Sequence, residues 1–221
     1  MVLGSGQLEA ASTTVGAPYP GEDNHRQILD SLYGGSFTAS GSDFSNGTVQ
    51  ALRVDDEADQ LWSLSDPINA SVRAVFAGLD QSFGYIPGDD GSTDDFVELF
   101  DASGTEYSVS GSASNVDLGD GDIRWARKGS NGIASSRNTD NLDDKDHLIT
   151  YSITGLPDVS EPVYLLLFED LFGNTGADND YNDLVVEISS VAHAPTPAAA
   201  GAGLMLLGVA GFARRRRPRQ A

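Results

Sequence analysis

Two short apolar runs with an acidic loop between them constrain the fold of this chain most strongly. The runs are residues 163–168 and 184–188, and each is bounded by turn-forming residues. Apolar runs of this length are typical of buried β-strands. Since the loop is held at both ends, we expect these two strands to lie in the core of a β-domain.

The loop itself concentrates oxygen-bearing side chains. Carboxylates this close together repel one another unless a cation lies among them. Oxygen ligands without cysteine or a local histidine favour calcium over zinc or copper. We therefore predict a calcium site here; the alternative is a solvated loop whose Asp and Asn side chains only stabilise turns. The predicted ligands are Glu169, Asp170, Asp178, Asp180, Asn182 and Asp183.

The spacing of these residues excludes an EF-hand. Asp178, Asp180 and Asn182 match the first three ligand positions of that loop. However, Asp183 occupies the position that needs glycine, and Ser189 the position of the bidentate glutamate. The two flanking helices of an EF-hand are therefore not expected either.

A second acidic cluster is a candidate partner of this loop. Asp55, Asp56 and Asp59 follow a predicted strand, shortly before Trp62. They either form a plain solvated turn or reach the loop around Asp178. We include Asp55 and Asp56 among the candidate metal ligands.

The remainder of the body predicts one helix followed by many short strands. Residues 25–33 place apolar side chains at helical spacing, between Asn24 as an N-cap and Gly34 as the stop. The number of short strands predicts an all-β fold, an antiparallel β-sandwich or jelly-roll-like domain over residues 25–191. The nine predicted strands are residues 48–54, 71–77, 81–86, 96–100, 107–110, 122–126, 147–153, 163–168 and 184–188.

Charge and cysteine content exclude several classes of function. The chain has 13 basic and 33 acidic residues, a net charge of −20, and five of the basic residues lie in the last eight positions. Such a body repels nucleic acid and anionic membranes and attracts divalent cations. With no cysteine, a disulfide framework, a thiolate zinc site and a cysteine nucleophile are all excluded.

The two ends differ from the body in composition. Residues 1–24 are small, polar and rich in Gly, Ser, Thr and Pro, which predicts disorder. Residues 2–12 are similar to the end of a secretory signal, so we expect the true start to lie upstream. At the other end, residues 198–213 predict a separate hydrophobic helix of about 24 Å, slightly short of a bilayer core of about 30 Å.

The C-terminal residues 192–221 resemble a known sorting signal. A proline motif, an apolar helix and an arginine cluster follow one another in the order typical of the PEP-CTERM signal of Gram-negative bacteria. That resemblance implies Sec export, transient anchoring in the inner membrane through residues 198–213, and cleavage by an exosortase-type enzyme, with release to the cell surface or extracellular matrix. The proline motif lacks the usual central Glu. The matching residues are Pro195, Thr196, Pro197, Arg214, Arg215, Arg216 and Arg217.

The body resembles a second family, the domain of unknown function numbered 4114. The resemblance extends over residues 25–190 and implies an exported, calcium-associated β-domain with no established reaction. The matching segments are residues 28–34, 53–56, 59–62, 81–84, 146–147, 168–170 and 180–187.

These features favour an exported, non-enzymatic surface or matrix protein stabilised by calcium. An alternative is a carbohydrate-binding module, with exopolysaccharide as a partner and Trp62, Trp125 and Tyr181 as the aromatic candidates for stacking on sugar rings. A glycosidase is disfavoured because no pair of carboxylates is singled out by spacing. His147 is a conceivable general base, but no serine or cysteine motif accompanies it.

Overall fold

The computed structural model of the protein describes residues 13–64, 66–157, 159, 161–173 and 178–190. These residues belong to the first of two units, residues 1–190; the second unit is residues 191–221. They form one α-helix, α1 (His25–Tyr33), a short 3-10 turn (Asn138–Asp140) and fourteen strands. The strands are β1 (Thr38–Ser40), β2 (Asp43–Ser45), β3 (Gln50–Arg53), β4 (Trp62–Ser63), β5 (Ile68–Val75), β6 (Gln81–Pro87), β7 (Val97–Thr105), β8 (Ser108–Ser110), β9 (Ser112–Val116), β10 (Asp122–Gly129), β11 (Gly132–Ser135), β12 (Leu148–Thr154), β13 (Val163–Phe168) and β14 (Leu184–Ser190).

The strands build two antiparallel sheets. The larger sheet has eight strands in the order β1-β2-β3-β12-β13-β14-β5-β9. The smaller sheet has six strands, with β11-β10-β6-β7-β8 in order and β4 beside β10. The predicted all-β fold with antiparallel sheets is therefore confirmed, and one hydrophobic core contains side chains from both sheets, as in a sandwich-like arrangement.

Strand β13 lies near the middle of the larger sheet and is buried on both faces. Leu166 and Phe168 belong to the core shared with the smaller sheet, which includes Trp125. Leu165 points to the opposite face and packs in a second core that contains Ile28 of α1. Because alternate side chains of a strand point to opposite faces, a strand covered on both sides needs the continuous apolar run seen in the sequence.

The predicted helix is confirmed, together with its N-cap. The Asn24 side chain accepts a hydrogen bond from the backbone N–H of Gln27, and the Gln27 side chain accepts one from the backbone N–H of Asn24. This reciprocal capping box satisfies two N–H groups that the helix itself leaves unpaired. The helix ends at Gly34, whose φ of 74° suits glycine. The capping box therefore fixes the start of α1 at His25, a residue that contacts the acidic loop.

All nine predicted strands are present, and five others were missed. The missed strands are β1, β2, β4, β9 and β11, of two to five residues each. Most are short and polar, so they lack the alternation that marks a strand in sequence. Fourteen strands also exceed the eight of a simple jelly roll. The hydrophobic helix predicted for residues 198–213 lies outside the described residues.

Candidate metal centre

Backbone pairing between β13 and β14 brings the two ends of the acidic loop together. Phe168 is the register partner of Leu184, so Glu169 and Asp183 leave the sheet side by side. The backbone N–H of Asp170 donates to the Asp183 carboxylate at 2.8 Å and closes this end of the loop. Strand register thus places residues fourteen positions apart in the sequence at one point in space.

Two groups of carboxylates form at this point, and they share one residue. In the first group, one carboxylate oxygen each from Glu169, Asp180 and Asp183 lies within 4.8 Å of the others. In the second, the same holds for Glu22, Asp178 and Asp180. Asp180 therefore belongs to two neighbouring groups, each of which could surround a cation with oxygen atoms.

Several oxygens of this centre are buried without a hydrogen-bond donor. Glu169 and Asp180 are each 2% exposed, and Asn182 is fully buried. Glu169 Oε2, Asp180 Oδ2 and Asn182 Oδ1 receive no hydrogen bond from any described residue. A buried carboxylate oxygen without a partner is costly, so a cation that these oxygens could coordinate would remove a large penalty.

The surroundings of the carboxyl groups disfavour their charged form in the absence of a cation. Burial raises the pKa of Asp180 to about 7, and the negative charges of Asp178, Glu169 and Glu22 add to the shift. Burial likewise raises the pKa values of Glu169 and Asp183, again with help from neighbouring carboxylates. A divalent cation would reverse this balance by supplying the positive charge that the group lacks.

One arginine approaches the centre without neutralising it. Arg127 is buried and donates from Nη2 to the backbone carbonyl of Asp170, while its Nε and Nη1 have no acceptor among the described residues. Burial lowers the pKa of Arg127, and the charges of Asp170, Asp183 and Glu169 oppose that shift. In the described part of the chain, no lysine or arginine forms an ion pair with a member of either carboxylate group.

The backbone of residues 178–182 is held in an unusual conformation by its neighbours. Asn179 and Tyr181 have left-handed φ values of 59° and 56°, which non-glycine residues rarely adopt. The Asn179 carbonyl accepts a hydrogen bond from Gly16 N at 2.6 Å. The Tyr181 hydroxyl donates to the Asp146 carbonyl at 3.1 Å. These contacts fix the two residues that alternate with Asp178, Asp180 and Asn182.

His25, at the start of α1, also holds the loop. Its Nε2 lies 2.9 Å from the Asp180 carbonyl, and its Nδ1 lies 3.0 Å from the Tyr151 hydroxyl. A carbonyl only accepts, so Nε2 carries the proton and Nδ1 accepts from the tyrosine. Burial lowers the pKa of His25 to about 4, which keeps the ring neutral and its two hydrogen bonds intact near neutral pH.

The structure separates some predicted ligands from the centre. Asp170 is buried beside it but belongs to neither carboxylate group. Asp55 is exposed, and Asp56 forms an ion pair with Arg53 at 2.9 Å. Asp59 is 1% exposed, and burial together with the charge of Asp146 raises its pKa to about 8. Asp55 and Asp56 are thus not brought into either group.

Sequence reasoning missed Glu22, which the structure places in the second carboxylate group. It falls within the segment predicted to be disordered, yet residues 13–24 are described and contact the acidic loop through Gly16 and Asn182. The amide of Asn182 donates to the Asp23 carbonyl at 3.1 Å. The only signal in the sequence was an acidic pair immediately before a helix N-cap, which does not reveal a partner about 160 positions away.

The three aromatic candidates for sugar stacking are core residues. Trp125 is fully buried, Tyr181 is 3% exposed and Trp62 is 9% exposed. Trp125 stacks on Phe83 at a ring distance of 5.5 Å and meets Trp62 edge to face at 6.3 Å. The prediction that they offer exposed ring faces to a carbohydrate is therefore wrong.

The residues of the predicted sorting signal, Pro195 to Pro197 and Arg214 to Arg217, lie outside the described residues. Within the part that the structure describes, no helix has the length and apolar character needed to cross a membrane.

The raised pKa of Asp180 predicts how the stability of the protein depends on pH when a chelator keeps calcium away. Its pKa rises on folding from an ordinary value of 3.8 to about 7, so the folded state binds the proton more tightly than the unfolded state. The contribution of Asp180 to stability must then fall as the pH rises from about 4 to about 7. We expect wild type to lose more stability than Asp180→Asn between pH 5 and pH 7, measured by denaturant unfolding. An equal loss in both proteins would contradict this assignment.

Comparison with known families matches part of the chain. No curated protein matches the sequence. Residues 102–191 match the model of a family described as a domain of unknown function, DUF4114. The match includes β8 to β14 and every predicted ligand of the acidic loop. Glu22, Asp55 and Asp56 lie outside it, as do the segments before residue 102 on which the resemblance to family 4114 was based. The acidic loop between β13 and β14 thus lies within the segment that matches DUF4114.

Proposed function

We propose that this chain is an exported, non-enzymatic protein whose β-domain is stabilised by calcium and acts at the cell surface or in the extracellular matrix. One observation carries the metal part of the proposal. The oxygens of Glu169, Asp180 and Asp183 converge within 4.8 Å, and two of these residues keep a buried oxygen without a donor. Such an arrangement lowers stability unless the carboxyl groups take up protons or a cation, and calcium would balance all three charges at once.

The donor set favours calcium over other common cations. Calcium takes six to eight oxygen ligands in flexible geometry, whereas zinc and copper prefer nitrogen and sulfur. Both nitrogens of His25, the imidazole beside the loop, are already engaged in hydrogen bonds. Asn182 Oδ1 is a further buried oxygen without a donor. Neither of the two carboxylate groups includes a histidine, so the groups themselves offer oxygen atoms alone.

Calcium bound here would tie together distant parts of the chain. Glu22 precedes α1, Glu169 follows β13, and Asp178 to Asp183 precede β14. Ions in the two groups, which share Asp180, would together cross-link the N-terminal segment to the centre of the larger sheet. Extracellular domains commonly use disulfides for this purpose, which a chain without cysteine cannot form.

Two further observations support a binding or structural role over catalysis. His147, the candidate base, is 2% exposed, lies 2.9 Å from Asp143 and packs against the Phe172 ring. Among the described residues that line the cavity of about 510 Å³ beside His25, none carries a carboxylate, whereas a glycosidase needs two facing its substrate. A carbohydrate-binding module that stacks sugars on Trp62, Trp125 and Tyr181 is not supported, because their rings are buried.

Calcium should raise the melting temperature of the full chain. At a concentration one hundred times its dissociation constant, an ion that binds only the folded state adds about 2.7 kcal/mol. This corresponds to roughly 5 to 10 °C for a domain of this size. We expect that shift between calcium and chelator in wild type, and its loss in Glu169→Gln and Asp183→Asn, measured by differential scanning calorimetry.

A matched control for this experiment is Asp95→Asn, which removes an exposed carboxylate far from the loop in sequence. It should keep the full calcium shift. If wild type shows no shift, or if Asp95→Asn loses as much of it as Glu169→Gln does, calcium acts through general screening of negative charge and the proposed site is wrong.

The export part of the proposal rests on the sequence of the tail and has its own test. With its native upstream reading frame, the full-length chain should be processed near Pro195 in a host that carries an exosortase. Intact-mass spectrometry of the surface fraction should then find a product without residues 198–221. Replacing Arg214 to Arg217 by glutamine should leave the tail attached. A mature product that retains residue 221 in the exosortase host would refute this route.

A further inference from the structure

Two further buried carboxylates meet at the start of β12, apart from the acidic loop. Asp59 is 1% exposed and Asp146 is 8% exposed. Strand β3 pairs with β12, and just after β3 the backbone N–H of Val54 donates to the Thr150 carbonyl at 2.9 Å. The chain then turns, since the backbone N–H of Asp59 donates to the Asp55 carbonyl at 3.2 Å. This turn returns Asp59 to β12, where the charge of Asp146 raises the pKa of its carboxyl after burial has done so.

Thr150 adds a hydroxyl group to these carboxylates from inside the sandwich. Residues two apart on a strand point to the same face. Leu148, two residues earlier, packs in the core that the two sheets share, and Thr150 is fully buried. Its hydroxyl lies close enough to Asp59 to favour the charged form of that carboxyl and oppose the rise of its pKa. Strand β12 therefore directs a polar side chain at Asp59 from an otherwise apolar face.

Four oxygen atoms of this group are buried and lack a hydrogen bond. None of them has a partner of normal geometry among the described residues, and water does not reach them. The other carboxylate oxygen of Asp146, Oδ1, accepts from the backbone N–H of Leu148 at 3.1 Å. Buried oxygens without a partner lower the stability of a protein. The four atoms are Asp59 Oδ1, Asp59 Oδ2, Asp146 Oδ2 and Thr150 Oγ1.

Arg53 does not neutralise this pair of carboxylates, because it is engaged by a third one. Its Nη2 forms an ion pair with Asp56 at 2.9 Å, and the other carboxylate oxygen of Asp56 accepts from the backbone N–H of Thr13. Burial raises the pKa of Asp59 to about 8 and that of Asp146 to about 6, although the charge of Arg53 opposes both shifts. Since Arg53 and Asp56 cancel, ionised Asp59 and Asp146 carry two unbalanced negative charges.

A divalent cation would satisfy these atoms more completely than a proton or a water molecule. One proton shared between two carboxylates forms a single hydrogen bond, which engages only two of the four oxygens. A calcium–oxygen contact of about 2.3 to 2.6 Å is shorter than a hydrogen bond of about 2.7 to 2.8 Å between two oxygens. An ion therefore needs less room than water, and a single one would balance both charges.

We propose that Asp59, Asp146 and Thr150 form a second binding site for a divalent cation of the calcium type. Asp59 binds through both carboxylate oxygens, Asp146 through Oδ2 and Thr150 through Oγ1. The ion fastens the turn after β3 to the start of β12. The proposal does not depend on the acidic loop, since the site shares no residue with either carboxylate group of that loop.

Equilibrium dialysis of the full chain with calcium tests the site by counting bound ions. We expect Asp59→Asn to bind one ion fewer than wild type. Thr150→Val keeps the shape of the side chain but removes its oxygen, so it should weaken the binding of one ion several-fold. Asp55→Asn and Asp144→Asn are matched controls, since they remove exposed carboxylates next to the site in sequence and should bind as wild type does. An unchanged ion count in folded Asp59→Asn would overturn the proposal.

Melting curves separate ion binding from a purely structural role of Asp59. In chelator at pH 8, Asp59→Asn should melt at a higher temperature than wild type, because it removes a charge from a buried pair. In excess calcium the order should reverse, because only wild type gains the ion. A change in melting temperature that is the same in calcium and in chelator would show that Asp59 acts through packing alone and would contradict the site.

The variant Glu169→Gln distinguishes this site from the acidic loop. If both proposals hold, Glu169→Gln and Asp59→Asn each reduce the number of bound ions, and the double variant loses both contributions. If only the acidic loop fails to bind calcium, Asp59→Asn alone reduces the number. If the site at Asp59 does not exist, Glu169→Gln alone reduces it.

Discussion

The mutual repulsion of buried carboxylates is the constraint on which this structure depends. Strand pairing between β13 and β14 forces Glu169 and Asp183 together, and the loop returns Asp180 to the same point. Burial removes the water that would screen these charges, so the group must take up either protons or a cation. The rigid sheet prevents the carboxylates from moving apart, which makes this end of the sandwich a site rather than an ordinary acidic turn.

The N-terminal segment connects this centre to the neighbouring cavity. His25 binds the Asp180 carbonyl through one nitrogen and Tyr151 through the other, and both His25 and Tyr151 line the cavity. Gly16 N donates to the Asn179 carbonyl. A cation that fixes the Asp180 loop would therefore also fix one wall of the cavity. This geometry provides a direct physical link between the candidate ion site and the cavity.

Local patterns in the sequence predicted the elements that depend on local physics. The apolar run of β13, the capped helix α1 and the carboxylate-rich loop were all visible, because periodicity, capping and composition are properties of short segments. Glu22 was not visible, because it meets Asp180 only through the tertiary fold. The same limit explains Trp125, whose burial depends on the contact between the two sheets. Asp56 is different, because its partner Arg53 lies only three residues away and the local ion pair was overlooked.

The most direct test of the central claim is a crystal structure of the protein grown with calcium, with an anomalous difference map. The carboxylate geometry predicts a peak among Glu169, Asp180 and Asp183, with oxygen ligands at about 2.3 to 2.6 Å. A second peak beside Glu22 and Asp178 would show that both groups bind an ion. A map without a peak, with the carboxyl groups hydrogen-bonded to one another through shared protons, would contradict the claim that a cation balances this centre.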